Sequence, residues 1–280
     1  MISVIIPSYN TGKYIGKTLE SICTQSYQDF EVVIIDGGST DNSLKVIENY
    51  KELYSDKISC YILPPKGEPD AINEGTRLSK GEIITYCDAD DVYEPDCFKH
   101  VADAFTVFKD RMWGYGLSKM IDEKGNEVRK AISAYKKFWS KRYSYNRLLV
   151  MDFISSQCLF WRKDLYKDWA IKKECDVDVF EFDTDIKYCF DYDFILRLGD
   201  RYIPIFINHH LANQRIHSES MSVFDSKNET KQALWVCRQY VSRRRSKWDL
   251  FSIGARLRFW QYFMYYLVTG VYSVLNWRAK

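Results

Sequence analysis

Within the first hundred residues, short apolar β-branched runs alternate with stretches of helical periodicity, and this alternation leaves the chain very few folds. Ser3 to Ile6, Glu31 to Ile35, Ser59 to Leu63 and Ile83 to Cys87 read as strands. Between them Tyr14 to Ser26, Ser43 to Tyr54 and Asp70 to Ser79 return apolar residues at spacings of three and four, as Ile15, Leu19 and Ile22 do. A βαβαβαβ order requires crossover connections, so it specifies an α/β fold with a Rossmann-like, mostly parallel sheet flanked by helices. Ligands of such sheets lie beyond the carboxyl ends of the strands. The loops after the strands are therefore where chemistry is expected.

Further along, the pattern gives a helix from Pro95 to Phe108, a strand from Trp113 to Met120 and a turn at Asp122-Glu123-Lys124-Gly125. Gln157 to Arg162 reads as a short strand, Tyr188 to Leu198 as a helix and Pro204 to Ile207 as another strand. No linker composition precedes position 225, so residues 1–225 are expected to form one domain and residues 226–280 a helical C-terminal segment. The opening Met1-Ile2-Ser3-Val4-Ile5-Ile6-Pro7 has no basic region and reads as a strand rather than a secretion signal. Eight cysteines without a Cys-x-x-Cys pair suggest neither a zinc site nor a disulfide framework, and point to a reducing compartment.

Three strand ends carry polar loops in succession: Ser8-Tyr9-Asn10-Thr11-Gly12, Asp36-Gly37-Gly38-Ser39-Thr40-Asp41 and Asp88-Ala89-Asp90-Asp91. Together they suit a nucleotide. No Gly-x-Gly-x-x-Gly follows the first strand and no Gly-Lys-Ser/Thr closes a loop, which argues against dinucleotide oxidoreductases and P-loop enzymes. The Asp88-Ala89-Asp90 triplet leaves a buried strand with two carboxylates, the donor set a hard divalent cation takes when it also holds a diphosphate. Acidic turns after strands are common, and Asp91 has the alternative of capping the next helix.

Ile5-Ile6-Pro7-Ser8-Tyr9-Asn10, Leu19-Glu20-Ser21-Ile22, Ile35-Asp36-Gly37-Gly38-Ser39-Thr40-Asp41, Asp70-Ala71-Ile72-Asn73-Glu74-Gly75 and the Asp-x-Asp together resemble family 2 glycosyltransferases of the GT-A fold. The likeness resumes at Asp191-Tyr192-Asp193-Phe194 and Arg215-Ile216-His217 and covers about residues 1 to 222. It implies an inverting enzyme that moves a sugar from a nucleoside-diphosphate sugar, with UDP the expected nucleotide, to an acceptor hydroxyl. It further implies that Pro7, Tyr9 and Asp36 line the base and ribose pocket, that Asp88 faces the ribose or the metal, and that Asp90 ligates Mn²⁺ or Mg²⁺. Asp70 is a second donor contact by the same likeness, though capping competes for it and for Asn73. Asp191 is the implied base, and Phe190 stands where the family pattern usually has the first of two acids. Inversion needs one carboxylate opposite the leaving diphosphate to take the acceptor's proton. Asp193, two positions on, faces elsewhere on a helix, with support of the metal site or of a backbone amide as its expected role. His217 is expected as a third metal ligand or a diphosphate contact. Trp161 and Arg162 are assigned to the acceptor side, and His209-His210 to a strand end.

Two rival classes remain open. A sugar nucleotidyltransferase needs a glycine-rich basic first loop, of which only Gly12-Lys13 is present. A catalytically inactive sugar-nucleotide-binding or scaffold protein predicts a lost carboxylate, yet Asp88, Asp90 and Asp191 are all there.

The net charge of +2 hides an asymmetry: residues 231–280 hold ten Lys and Arg and one acid, Asp249, against thirty bases and thirty-seven acids before them. A basic tail suits an anionic partner, membrane or nucleic acid. Phe259 to Trp277 carries no formal charge and, at 1.5 Å per residue, would reach about 28 Å as a helix, near the bilayer core's roughly 30 Å. Its Tyr, Phe and Trp favour the headgroup level, so the tail is expected to lie on an anionic membrane surface and not on nucleic acid. The expected location is cytoplasmic, peripheral at the inner face of the membrane, within reach of a glycan or lipid-linked acceptor for polysaccharide synthesis.

Overall fold

The first strand, Ile2–Ser8 (β1), is buried at every position except Pro7, and a strand this apolar is stable only with both faces covered. In the computed structural model, which describes residues 1–166, 181–218, 220 and 226–242, it lies inside a nine-stranded mixed sheet. Phe30–Asp36 (β2), Ile58–Ile62 (β3) and Ile83–Tyr86 (β4) join it in the parallel order β3-β2-β1-β4. Their crossovers are the helices Ile15–Cys23 (α1), Ser43–Leu53 (α2) and Glu68–Leu78 (α3). All three helices were legible to within a few residues from the apolar spacing.

The second half of the sheet is mixed. Val92–Tyr93 (β5), Trp113–Ile121 (β6), Glu127–Val128 (β7), Leu159–Arg162 (β8) and Ile205–Arg215 (β9) extend it as β4-β8-β6-β9-β5, with β7 on β6. Here β6 and β9 are parallel, while β8 is antiparallel to both β4 and β6. Helices Cys97–Val107 (α4), Lys130–Ser140 (α5), Tyr145–Leu148 (α6), Phe190–Arg201 (α7) and Ser226–Ser242 (α8) complete the described chain.

Strand alternation divides the core into two layers. Ile2, Val4 and Ile6 point to the layer that contains Ile15, Leu19 and Phe98, whereas Ile5 points to the layer built on Tyr86, Trp113, Trp161 and Phe194. Trp161, expected on the acceptor side, is fully buried there, 5.2 Å from the Phe194 ring. Arg162 donates to the carbonyls of Arg111 and Phe105. Both residues hold the fold and neither reaches the cleft, because β8 is an interior strand.

The strand expected to end at Ile207 runs on to Arg215. Its later residues, His209, His210 and Asn213, break the apolar pattern, but ladder pairing with β6 and β5 satisfies their backbone regardless of side chain. His209 and His210 are thus mid-strand, and His209 stacks on His100 of α4 at 3.7 Å.

Helix α8 begins at the expected domain boundary and packs into the body: Val236, Cys237 and Tyr240 are buried in the same layer as Tyr192 of α7. The tail beyond Ser242, including Phe259 to Trp277, lies outside the described residues. Among the described residues no helix is long and apolar enough to cross a membrane, and none of the seven described cysteines forms a disulfide.

Candidate active site

The loops after β1 and β2 are laced together by short polar side chains. The register sets Ser8 beside Asp36, and the buried Asp36 carboxylate accepts four bonds: from Ser8 Oγ at 2.9 Å, Ser39 Oγ at 2.7 Å, and the amides of Gly38 at 2.9 Å and Ser39 at 2.7 Å. A carboxylate offers about four lone-pair sites. A base bonding to Asp36 would share an oxygen already taken, so the observed work of Asp36 is to shape the loop. Asn10, at φ 54°, accepts from the Thr40 amide, and Thr11 and Gly12 donate to Ser43 and Asp41. Tyr9 is 57% exposed on this platform. A Cβ on Gly37 would come within 3.2 Å of the Tyr9 ring and 3.3 Å of Pro65, so glycine lets these three form a shallow ledge. Pro7 is half-buried at the end of β1 beneath it.

The acidic cluster follows β4. One ligand atom each from Asp88, Asp90 and Asp91 lies within 4.8 Å of the others. Asp88 accepts from Gln157 Nε2 at 3.1 Å, and the Ala89 carbonyl is held by Thr18 at 2.8 Å. Asp91 is nearly fully buried and accepts the Arg215 amide at 2.7 Å. It caps no helix, since α4 starts after Asp96. Arg215 also donates through Nε to the Asp90 carbonyl at 2.8 Å, and His217 Nε2 meets Asp90 Oδ2 at 2.7 Å. The His217 ring stacks on Tyr14 at 4.5 Å; Tyr14 in turn donates to Glu123, which also takes Lys13 at 2.6 Å. The Asp88, Asp90 and His217 expected together from sequence are thus brought together.

Sequence reasoning missed Glu68. Gly75 lies so close to Ile5 that a side chain there would collide, and this contact lays α3 on β1 with its N-terminus at the carboxyl edge of the sheet. Glu68, the first residue of α3, stands beside Asp88. Burial, followed by the charges of Asp88, Asp191 and Asp90, holds Glu68 well above the usual carboxylate range. Asp88 is pushed up to about 6 by burial and then by Asp90. Burial, Asp90 and Asp88 likewise raise Asp91. Asp70 sits a half-turn further along α3, and its charge acts on Arg77. Asn73 is a structural residue: it exchanges two 2.8 Å bonds with the backbone of Phe182.

Asp191 lies in the first turn of α7, where Phe190 fixes the helix start against Phe182 at 5.7 Å and Tyr86 at 6.5 Å. This packing accounts for an aromatic residue in place of an acid at that position. Asp191 Oδ1 accepts its neighbour's amide at 2.8 Å, and its charge acts on both Glu68 and Tyr86. Asp193 points the other way, accepting from Arg197 at 2.8 Å and Tyr240 at 2.6 Å. It ties α7 to α8 and supports neither the metal site nor a proton transfer.

The fit to a divalent cation can be tested on the orphaned atoms. Asp88 Oδ1 and Asp91 Oδ2 are buried and receive no N–H or hydroxyl donor, and burial followed by the charge of Asp90 raises both groups. Three clustered carboxylates with unfilled oxygens are the donor set of a hard cation. The sign of the resulting pH dependence follows. A carboxyl raised in the native state holds its proton more tightly than in the unfolded chain, so stability is present below the unfolded value and is lost as pH rises through the folded one. In chelator, the melting temperature should fall as pH rises from about 4 through the Asp88 value of about 6. Glu68→Gln should flatten that fall, and a variant that keeps the full slope would contradict a raised Glu68 carboxyl.

A mixed sheet with polar loops after β1 and β2 and an Asp-x-Asp after its fourth strand is the GT-A fold. The chain belongs to glycosyl transferase family 2, whose profile matches residues 3–169. It is 38% identical over 104 residues to an uncharacterized glycosyltransferase of Nostoc, covering 37% of this chain and 32% of that protein. It is 28% identical over 223 residues to chondroitin synthase of Escherichia coli, covering 80% of this chain and 30% of that protein. The chain thus spans about a third of the length of these two curated relatives. Among solved structures, S. aureus TarS 1–349 in complex with UDP-GlcNAc superposes with a TM-score of 0.64 at 20% identity, over 91% of this chain and 70% of that one. A mannosyltransferase from Pyrobaculum calidifontis in complex with GDP-Man and Mn²⁺ gives 0.60 at 16% identity, over 98% and 86%.

Proposed function

We propose that the protein is an inverting, metal-dependent glycosyltransferase that moves a sugar from a UDP-sugar to a hydroxyl of a glycan or lipid-linked acceptor. One observation carries this reading: the Asp88–Asp90–Asp91 cluster with its unfilled oxygens shares one sheet edge with Asp191 and with the Tyr9 ledge. TarS, which binds UDP-GlcNAc, supports the choice of nucleotide.

In this reading Tyr9, Gly37 and Pro65 offer the base a flat apolar surface, while Asp36 keeps the loop in shape. Asp88, Asp90 and His217 would hold Mn²⁺ or Mg²⁺, which when bound neutralises charge on a departing diphosphate. Gln157 fixes Asp88, and Arg215 fixes the main chain of the loop. Asp191 takes the proton from the acceptor hydroxyl as its oxygen attacks the anomeric carbon. Glu68, beside Asp88 and within reach of Asp191, closes the wall between metal and base. The basic aromatic segment within residues 226–280 is proposed to make, beyond α8, a peripheral contact with an anionic membrane. A truncation that tests it must keep α8, because Tyr240 and Cys237 belong to the core.

Thermal shift with UDP-, GDP- and TDP-sugars in Mn²⁺ tests the donor. A ligand at a hundred times its Kd stabilises by about 2.7 kcal/mol, which for a domain of this size is a shift of roughly 5–10 °C. The shift should appear with a UDP-sugar. A shift with GDP-sugars alone would reassign the donor, and none with any would overturn the nucleotide-sugar reading.

A further inference from the structure

Between Arg129 and Met151 the sequence has seven Lys and Arg and no Asp or Glu, within a body whose first 230 residues are otherwise rich in acid. The segment folds as α5 and α6, and its charge is sorted by face. At about 100° per residue, Lys130, Ala134, Lys137 and Lys141 fall within an arc of roughly 60°, with Ala131 and Phe138 on one flank. All six are exposed, Phe138 to 49%. The other flank of the stripe is anchored: Ser133 and Ser140 are buried, and Tyr115 donates to the Ser140 carbonyl at 2.7 Å. Among the described residues, Lys130, Lys137, Lys141, Arg142 and Arg147 have no carboxylate within 4.0 Å. The Arg142 guanidinium instead lies 4.0 Å over the Phe138 ring, and that of Arg147 lies 5.7 Å over Trp139.

Three lysines on one stripe, with Arg142 and Arg147 beyond its end and no counter-charge beside any of the five, call for an anionic partner. The exposed Phe138, flanked by two alanines, separates a lipid surface from a soluble polyanion, because a ring at headgroup depth gains from apolar burial while the surrounding cations face phosphates. The surface also borders the cleft. Lys136, on the inner side of α5, reaches Ser155 Oγ at 3.4 Å, two residues before the Gln157 that holds Asp88.

We propose that the exposed stripe of α5, with Arg142 and Arg147, docks on an anionic bilayer leaflet with Phe138 entering the headgroup layer. The contact is distinct from the tail and stands whether or not the chain is a transferase. It sets the acceptor side of the cleft at the height of the lipid headgroups.

The test uses the full chain and flotation with phosphatidylcholine vesicles, with and without phosphatidylglycerol. The unaltered protein should float only with the anionic vesicles, and less so as salt rises. Each lysine near a charged leaflet contributes about fivefold, so Lys130→Gln, Lys137→Gln and Lys141→Gln together should lower partitioning roughly a hundredfold. Phe138→Ser should lower it about tenfold. All four sites are exposed, and an unchanged melting temperature would confirm that the variants fold. An unaltered protein that fails to float overturns the proposal, as does a triple variant that floats as well as the parent. Capture on heparin that the lysine changes abolish and Phe138→Ser leaves intact would assign the face to a soluble polyanion and also overturn it. The donor-induced thermal shift is read separately on the same variants, so loss of docking and loss of donor binding are distinguishable.

Discussion

Replacing Asp90 by alanine should abolish sugar transfer, and a chelator should do the same to the unaltered protein. Of the three clustered carboxylates, Asp91 is nearly fully buried and bonded to the Arg215 amide, and Asp88 is held by Gln157. Asp90 has a quarter of its side chain exposed and meets His217 at 2.7 Å, so it is the member turned toward a ligand in the cleft. Metal neutralisation of a developing charge supplies several kcal/mol, so transfer should fall by roughly 10³ or more. The loop itself should survive, because Arg215 grips the Asp90 main chain and His217 remains stacked on Tyr14. Calorimetry should show Mn²⁺ binding lost alongside activity. Full activity in chelator would remove the metal from the reaction altogether.

The parts of this molecule that were legible in the sequence are those where local pattern and tertiary role coincide. β1 to β4 and α1 to α3 each carry a strong period, and the loops between them follow from the fold class, so Asp36, Asp88 and Asp90 could be placed at one sheet edge before any coordinates. His217 also arrives where the likeness implied, although its stacking on Tyr14 depends on a turn around Glu123 that no local pattern specifies.

What was not legible depends on long-range contacts. Glu68 follows a glycine and precedes a proline, which reads as the start of a helix and nothing more. It enters the site only because Gly75 lets α3 settle on β1. Trp161 and Asp193 show the converse. Both are residue types that invite a functional reading, and both are consumed by packing: Trp161 within the aromatic layer, Asp193 in its bonds to Arg197 and Tyr240. The strand beyond Ile207 was hidden because its side chains are polar, whereas its stability lies in the backbone ladder.

Changing Asp191 to asparagine should leave donor binding intact and lower transfer by roughly 10² to 10⁴, the range for loss of a general base. The substitution is nearly isosteric, and the 2.8 Å bond that Asp191 Oδ1 accepts from the Tyr192 amide can be kept by the amide oxygen. Phe190, Tyr192 and Phe194 stay buried, so the start of α7 should hold its position against Tyr86. What the amide lacks is the capacity to take a proton. The thermal shift with the donor should therefore match that of the parent while the turnover rate collapses, a split that a folding defect would not give. Asp193→Asn provides the contrast, since it weakens the Arg197 and Tyr240 bonds and should lower the melting temperature while the rate per folded molecule changes little. Transfer unaffected by Asp191→Asn would place the base elsewhere, and Glu68, whose carboxyl senses the Asp191 charge, is then the next to be tested by the same substitution of carboxylate by amide.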